Sequence, residues 1–196
     1  MILIAWIVVL ILSYLIGSLP SGLMIGQAFW KTDLRKRGSG NIGATNAWRV
    51  LGPRAGMLVF AMDFLKGVIP VLIASHLIGT PWSLVIAGGM TIIGHVASIF
   101  TQFKGGKAVA TGLGVITAMV PQAAIITFLL WVLILIVTRY VSLASIVASL
   151  FVPLQMVVLH CPAEYFGFGI FCACLIILRH KDNISRLLDG TENKIK

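Results

Sequence analysis

Twelve residues, Gly38-Ser39-Gly40-Asn41-Ile42-Gly43-Ala44-Thr45-Asn46-Ala47-Trp48-Arg49, stand out in a chain that is otherwise largely apolar. Glycines let backbone N–H groups come close to a ligand, and the side chains of Ser39, Asn41, Thr45, Asn46 and Arg49 add further donors. That combination suits a phosphate or an oxyanion. Ser39 or Thr45 is placed to cap a short helix that ends before Gly52-Pro53. On such a helix Asn46 and Arg49, three residues apart, share a face. Trp48 reads as an interfacial anchor. An amphipathic connector whose glycines merely make turns is the simpler alternative. It leaves two Asn, a Ser and a Thr among three glycines unexplained.

Two further polar segments have donors at useful spacing. In Phe103-Lys104-Gly105-Gly106-Lys107-Ala108-Val109-Ala110-Thr111-Gly112, a diglycine precedes a lysine where a helix should begin. Free N–H groups, a helix dipole and a cation there resemble a phosphate cradle, although the spacing is not that of a Walker A loop. Lys104, Gly105, Gly106, Lys107 and Thr111 are the candidate ligands. In Arg179-His180-Lys181-Asp182-Asn183-Ile184-Ser185-Arg186-Leu187-Leu188, the residues His180, Asn183 and Arg186 recur every three positions and line one helical face. Ile184, Leu187 and Leu188 can rest on the membrane interface. A basic turn and a basic tail remain the plain alternatives for these two segments. Asp63 and Lys66, one helical turn apart inside an apolar run, can pair; ionisable residues at such depth are functional suspects, and a structural ion pair fits equally well. His95, after Gly94, suits a structural bond to a neighbouring carbonyl or loop.

The elements that must position these segments are membrane spans. Of 196 residues, 59% are hydrophobic and 11% charged, with a mean hydropathy of +1.02; soluble domains average roughly 25% charged. Apolar runs cover 2–29, 55–76, 82–101, 107–137, 141–159 and 163–178. A span needs about 20 residues, so 107–137 is too long for one, and Pro121 marks a hairpin within it. With that hairpin there are seven spans. The basic segments 31–54, 102–107, 138–140 and 179–196 then all face the cytoplasm, as the positive-inside rule requires. The expected architecture is therefore an all-α integral membrane protein forming a single domain. It has seven transmembrane helices, the N-terminus outside, the C-terminus cytoplasmic, and short interfacial helices in the cytoplasmic loops. Residues 107–119 are short for a full crossing.

The net charge of +9 follows this inside bias, which argues against nucleic acid and for anionic substrates at the cytoplasmic face. No basic region precedes the first apolar run, so a cleavable signal is not expected. Pro20 is placed to kink the first run, and Gly22 and Gly26 form a GxxxG pair that permits close helix contact. Cys161, Cys172 and Cys174 form no metal or redox motif. Cys172 and Cys174 point to different faces of a helix and serve packing.

Taken together, GSGNIGATNAWRVLG at 38–52, DFLKG at 63–67, GH at 94–95, FKGGKAVAT at 103–111, RYVSLASI at 139–146 and RHKDNISRLLDGTE at 179–192 closely resemble the bacterial acyl-phosphate:glycerol-3-phosphate acyltransferases, the PlsY family. The resemblance runs in order over most of the chain. It implies seven spans and a site at the cytoplasmic face of the inner (plasma) membrane. It also implies transfer of a fatty acyl group from acyl phosphate to the 1-hydroxyl of sn-glycerol 3-phosphate. Ser39, Arg49 and Lys107 are then the catalytic candidates. Gly40, Asn41, Thr45, Asn46, Lys104, Gly105, Gly106, Thr111, His180 and Asn183 are the substrate-binding candidates.

Arg49 and Lys107 are expected to bind phosphate oxygens and stabilise developing charge. Ser39, Asn41 and Asn46 are expected to orient substrate, and His180 and Asn183 to position glycerol 3-phosphate. No metal or other cofactor is expected. The expected partners are the two substrates, the bilayer and the soluble enzyme that forms acyl phosphate. The HxxxxD motif of acyl-CoA-dependent glycerolipid acyltransferases is absent, as are a GxSxG elbow, a His/Cys/carboxylate metal cluster and the DxxDG-type motif of membrane alcohol phosphotransferases. A small transporter for an anionic solute is the rival from another class. Against it, the external turns are very short and no inverted repeat is visible.

Overall fold

Apolar runs without charge become helices here because a helix satisfies every backbone donor and acceptor within its own segment. The computed structural model describes residues 2–195. Among them ten α-helices follow one another with no strand. They are α1 (Ile2–Ser18), α2 (Ser21–Trp30), α3 (Ala44–Leu51), α4 (Pro53–Leu77), α5 (Pro81–Val96), α6 (Val109–Met119), α7 (Pro121–Thr138), α8 (Val141–Val158), α9 (Ala163–Arg179) and α10 (Lys181–Leu188).

Proline sets several of the boundaries. α4, α5 and α7 each open on Pro53, Pro81 and Pro121, where the missing N–H costs no helical bond. The break expected at Pro121 is therefore where α6 and α7 part. Pro20 goes further than a kink: α1 and α2 are separate helices bent by 42°. α9 and α10 part in the same way, bent by 62° around His180.

By length and composition, four segments can cross a bilayer: Pro53–Leu77, Pro81–Thr101, Pro121–Thr138 and Val141–Val158. Counting each bent pair as one span brings the number to six. α6, with 11 residues, rises only about 16 Å at 1.5 Å per residue, roughly half of a ~30 Å hydrocarbon layer.

The chain divides into two compact units, one ending at Ala118 and the other beginning at Met119. In the first unit, glycine sets how closely the helices approach. A Cβ on Gly17 of α1 would collide with the Thr91 carbonyl of α5, and one on Gly94 with the Tyr14 carbonyl. A Cβ on Gly67 of α4 would collide with the Thr111 carbonyl of α6, and one on Gly114 with the Phe64 carbonyl. Small residues at such contacts let backbones pack directly, which replaces the hydrophobic drive that lipid removes.

Gly22 and Gly26 correct the expectation of a helix–helix GxxxG seam. A Cβ on Gly22 would meet the carbonyl of Ile42, and one on Gly26 would lie 2.8 Å from the carbonyl oxygen of Thr32. The notch receives the polar loop after α2. Leu23, Ile25, Leu34, Ile42, Ala47, Ala55 and Val59 form one buried cluster beneath that loop.

In the second unit, Trp131 Nε1 of α7 donates to Ser145 Oγ of α8 at 3.1 Å. Gln155 Nε2 donates to Thr127 Oγ1, also at 3.1 Å. Gly169 of α9 lies against Pro153 of α8. Cys172 is buried and Cys174 exposed, as their helical spacing requires.

Gly67→Val should lower the unfolding midpoint in detergent by several degrees, because the added side chain can only press on the Thr111 backbone; overpacking of this kind costs about 1–3 kcal/mol. Gly89→Ala, where no atom lies within 4 Å of the new Cβ, should leave the midpoint unchanged or raise it. Differential scanning fluorimetry of the two variants checks both.

Candidate functional site

The loop at 38–43 is organised from within by one amide. Asn46 is 2% exposed. Its Oδ1 accepts from the Ser39 N–H at 3.0 Å, and its Nδ2 donates to the carbonyls of Asn41 at 2.7 Å, Arg37 at 3.1 Å and Leu34 at 3.3 Å. Gly38 (φ 58°) and Gly40 (φ 72°) take the left-handed conformation on either side of Ser39, which favours residues without a Cβ. A Cβ on Gly38 would also strike Asn46 Oδ1. Asn41 closes the loop as Oδ1 accepts from the Gly43 N–H at 2.8 Å, an Asx-turn. Ser39 and Gly40 are left exposed at the surface of this loop, and Asn41 is half-buried.

Helix α3 starts at Gly43 without a side-chain cap. Neither Ser39 nor Thr45 caps it, because the Asx-turn of Asn41 already directs the chain into the helix; Thr45 lies half-buried in the first turn. On α3 Asn46 is buried under the loop, and Arg49, three residues further on, is exposed.

The second segment differs from the expected cradle of free N–H groups. The Gly105 N–H donates to the Val96 carbonyl at 2.9 Å, and the Gly106 N–H to the His95 carbonyl at 3.1 Å. Both glycines are instead sites of close approach. A Cβ on Gly105 would meet the His95 carbonyl, and one on Gly106 the His95 imidazole at Nε2. Lys107 follows, half-buried, just before the N-terminus of α6, and Lys104 is exposed. Thr111, expected among the ligand contacts, is fully buried, with its Oγ1 3.1 Å from His95 Nδ1. The same His95 Nδ1 lies 3.8 Å from Asp63 Oδ1, and Lys66 Nζ is 2.8 Å from that oxygen. Asp63 and Lys66 therefore do pair. Lys66 also donates to the Leu19 carbonyl at 2.7 Å, at the break between α1 and α2.

In the second unit His180 and Asn183 open α10, 3% and 7% exposed. His180 Nδ1 is 2.7 Å from the Ile176 carbonyl oxygen. A carbonyl only accepts, so this bond puts a proton on Nδ1 and leaves Nε2 as the basic nitrogen of the neutral ring. Asn183 Nδ2 donates to Glu192 Oε1 at 2.6 Å. The same carboxylate accepts from Ser142 Oγ at 2.8 Å and, through Oε2, from Arg186 Nε at 2.7 Å.

Ser142 and Glu192 were not among the sequence candidates. The available signal was one of three carboxylates in a basic tail, beside Asp182 and Asp189, and nothing local pairs it with a serine fifty positions away. Burial pushes the Glu192 carboxyl up, but the bonds from Asn183, Ser142 and Arg186 outweigh it and hold the pKa below its usual 4.5. Among the described residues no group of three or more His, Cys, Asp or Glu side chains is placed to hold a metal ion.

Comparison with known proteins gives a consistent result. A family model described as glycerol-3-phosphate acyltransferase matches residues 7–190. The glycerol-3-phosphate acyltransferase of Fusobacterium nucleatum is 46% identical over 187 residues, covering 95% of this chain and 96% of that protein. The Aquifex aeolicus protein of the same name is 46% identical over 185 residues, covering 94% and 96%. Two crystal structures of PlsY (YgiH), an integral membrane glycerol 3-phosphate acyltransferase, are 44% identical to the chain and superpose with TM-scores of 0.93 and 0.91. Each covers 97% of this chain, which covers 96% and 95% of theirs; one is the glycerol 3-phosphate form and the other the lysophosphatidic acid form.

Asn46→Asp should destabilise more than Asn46→Ala, because it turns a carboxylate oxygen towards the carbonyls of Leu34, Arg37 and Asn41. The alanine variant already leaves buried groups unpaired, at about 1–3 kcal/mol. Tryptic cleavage at Arg35, Lys36 and Arg37 reads the loosening of the loop. A carboxyl whose folded pKa lies below its unfolded one stabilises the fold above the unfolded value and loses that effect as pH falls through the folded one. Hydrogen-exchange protection of 180–195 should therefore be full at neutral pH and decline below about pH 4.5. Glu192→Gln should flatten that decline.

Proposed function

Because the chain belongs to the glycerol-3-phosphate acyltransferase family, we propose that it transfers a fatty acyl group from acyl phosphate to the 1-hydroxyl of sn-glycerol 3-phosphate. The products are 1-acyl-sn-glycerol 3-phosphate (lysophosphatidate) and inorganic phosphate, an early step of phospholipid synthesis. The observation that carries this reading is the near-complete match to one enzyme in two forms, one with glycerol 3-phosphate and one with lysophosphatidic acid. These two differ by one acyl group.

In the proposed reaction the 1-hydroxyl oxygen attacks the carbonyl carbon of the acyl phosphate. The carbonyl oxygen gathers negative charge, the bond from carbon to the bridging phosphate oxygen breaks, and the hydroxyl proton passes to the departing phosphate. The donor phosphate is dianionic or nearly so and a good leaving group. The chain's task is then to hold two phosphates and stabilise the oxyanion. Exposed Arg49 and half-buried Lys107 supply the positive charge, with Ser39 as a donor presented by its loop. Asn46 and Thr111 act by holding Ser39 and His95 in place. His180 and Asn183 position glycerol 3-phosphate, with Gly40, Asn41, Thr45 and Lys104 around the substrates. A fixed cation aimed where charge develops is among the largest catalytic contributions known.

The topology we propose has seven spans, with α6 as a tilted or partial crossing, the N-terminus outside and the C-terminus cytoplasmic. The basic segments face the cytoplasm of a bacterial inner membrane, where the soluble enzyme that makes acyl phosphate can deliver its product.

Purified chain in detergent or lipidic phase, given acyl phosphate and glycerol 3-phosphate alone, should form lysophosphatidate without added metal or nucleotide. Equal activity with acyl-CoA would contradict the donor assignment. Solute flux in proteoliposomes without acyl product would overturn the enzyme reading. Arg49→Ala and Lys107→Ala should each lower kcat/KM by about 10²–10³-fold in protein that still folds, and Arg49→Lys should recover little if the guanidinium binds phosphate through two N–H groups.

A further inference from the structure

His95 occupies the place where four parts of the first unit meet. It ends the buried stretch of α5, its carbonyl accepts from the Gly106 N–H at 3.1 Å, and its imidazole Nε2 edge fills the space that a Gly106 side chain would need. Nδ1 lies 3.1 Å from Thr111 Oγ1 on α6 and 3.8 Å from Asp63 Oδ1 on α4. The ring is thus held at its Nδ1 edge, and its opposite, Nε2 edge lies against the residue before Lys107. Asp63 is fixed in turn by Lys66 at 2.8 Å, which also grips the Leu19 carbonyl at 2.7 Å. A buried carboxylate and ammonium are expensive to keep, yet an ordinary helix contact between α4, α5 and α6 needs neither. Gly67 and Gly114 already bring α4 and α6 into backbone contact.

We infer that His95, steadied by Asp63 and Thr111, is a positioning residue for Lys107. It sets the height and direction in which the diglycine delivers that cation. The loop needs such a support because the flanking residues are not self-determining: Phe103 and Ala108 take left-handed φ values of 60°, a conformation L-residues hold only when their surroundings impose it. The inference rests on Lys107 being the cation that meets the substrate phosphate. A misplacement of about 1 Å at such a group lowers turnover on the order of 100-fold.

A double-mutant cycle tests this. His95→Ala should lower kcat/KM for glycerol 3-phosphate by roughly 10–100-fold, Lys107→Ala by at least as much, and the double variant no further than Lys107→Ala alone. In the folded protein, losses that multiply in the double variant, or a His95→Ala enzyme with normal kcat/KM, would overturn the inference while leaving the role of Lys107 standing. Wild-type turnover in Lys107→Ala would instead sink the reading on which it rests, and the inference with it. Should His95→Ala not fold, Gly106→Ala supplies the same test from the other side. It forces a methyl group onto the imidazole, so its loss of activity should be relieved by His95→Asn, which removes Nε2 while keeping a polar group near Nδ1. An equal Gly106→Ala loss in both backgrounds would contradict the inference.

Discussion

Lys66 pairs with the Asp63 carboxylate, Oδ1 at 2.8 Å, and donates to the Leu19 carbonyl at 2.7 Å. In an apolar chain this is the arrangement on which the first unit depends. At the break around Pro20 the Leu19 carbonyl accepts from the Ser21 N–H at 3.0 Å, and Lys66 supplies its second donor. The same ammonium neutralises Asp63, which would otherwise be an unpaired charge at membrane depth, among the most destabilising features a bundle can have. Asp63 then stands beside His95, and His95 beneath the diglycine. Ser98 Oγ donates to the carbonyl of Ser18 at 2.5 Å and Tyr14 Oη to that of Ala97 at 2.9 Å, so the end of α5 is tied to the same break. Each bond supplies a partner where lipid offers none.

The polar loops follow the same rule with different residues. Around Ser39 the partners come from Asn46, whose single amide serves one N–H and three carbonyls of the loop. Around Asn183 they come from Glu192, which gathers Ser142, Asn183 and Arg186. In each case a buried side chain holds an element so that a neighbouring group is presented in a fixed direction. Preorganisation of this kind lets donors act on developing charge without reorganising during reaction.

Much of this was legible in the sequence, and the limit of legibility has a physical reason. The breaks at Pro20 and Pro121 could be read because proline acts on its own neighbours, and the Asp63–Lys66 pair because three residues make one helical turn. The three glycine-rich or basic segments stood out by composition. What the diglycine N–H groups bind could not be read, since their acceptors at His95 and Val96 belong to the preceding helix and depend on how the loop folds back. The notch at Gly22 was read as a helix seam because spacing shows that a close approach occurs, not which backbone makes it. Ser142 and Glu192, fifty residues apart, carry no local sign of each other.

On this account the residues at the surface of the loops place charge, and proton transfer is left to the donor's own phosphate. His180 is the side chain that could contradict it, since the bond from Nδ1 to the Ile176 carbonyl leaves Nε2 as the basic nitrogen. The direct measurement is kcat for His180→Ala at saturating glycerol 3-phosphate and acyl phosphate, alongside the affinity for each substrate. The account predicts substantial turnover, with the loss falling mainly on glycerol 3-phosphate binding. A fall in kcat of many orders of magnitude with both affinities intact would make His180 the base and contradict it.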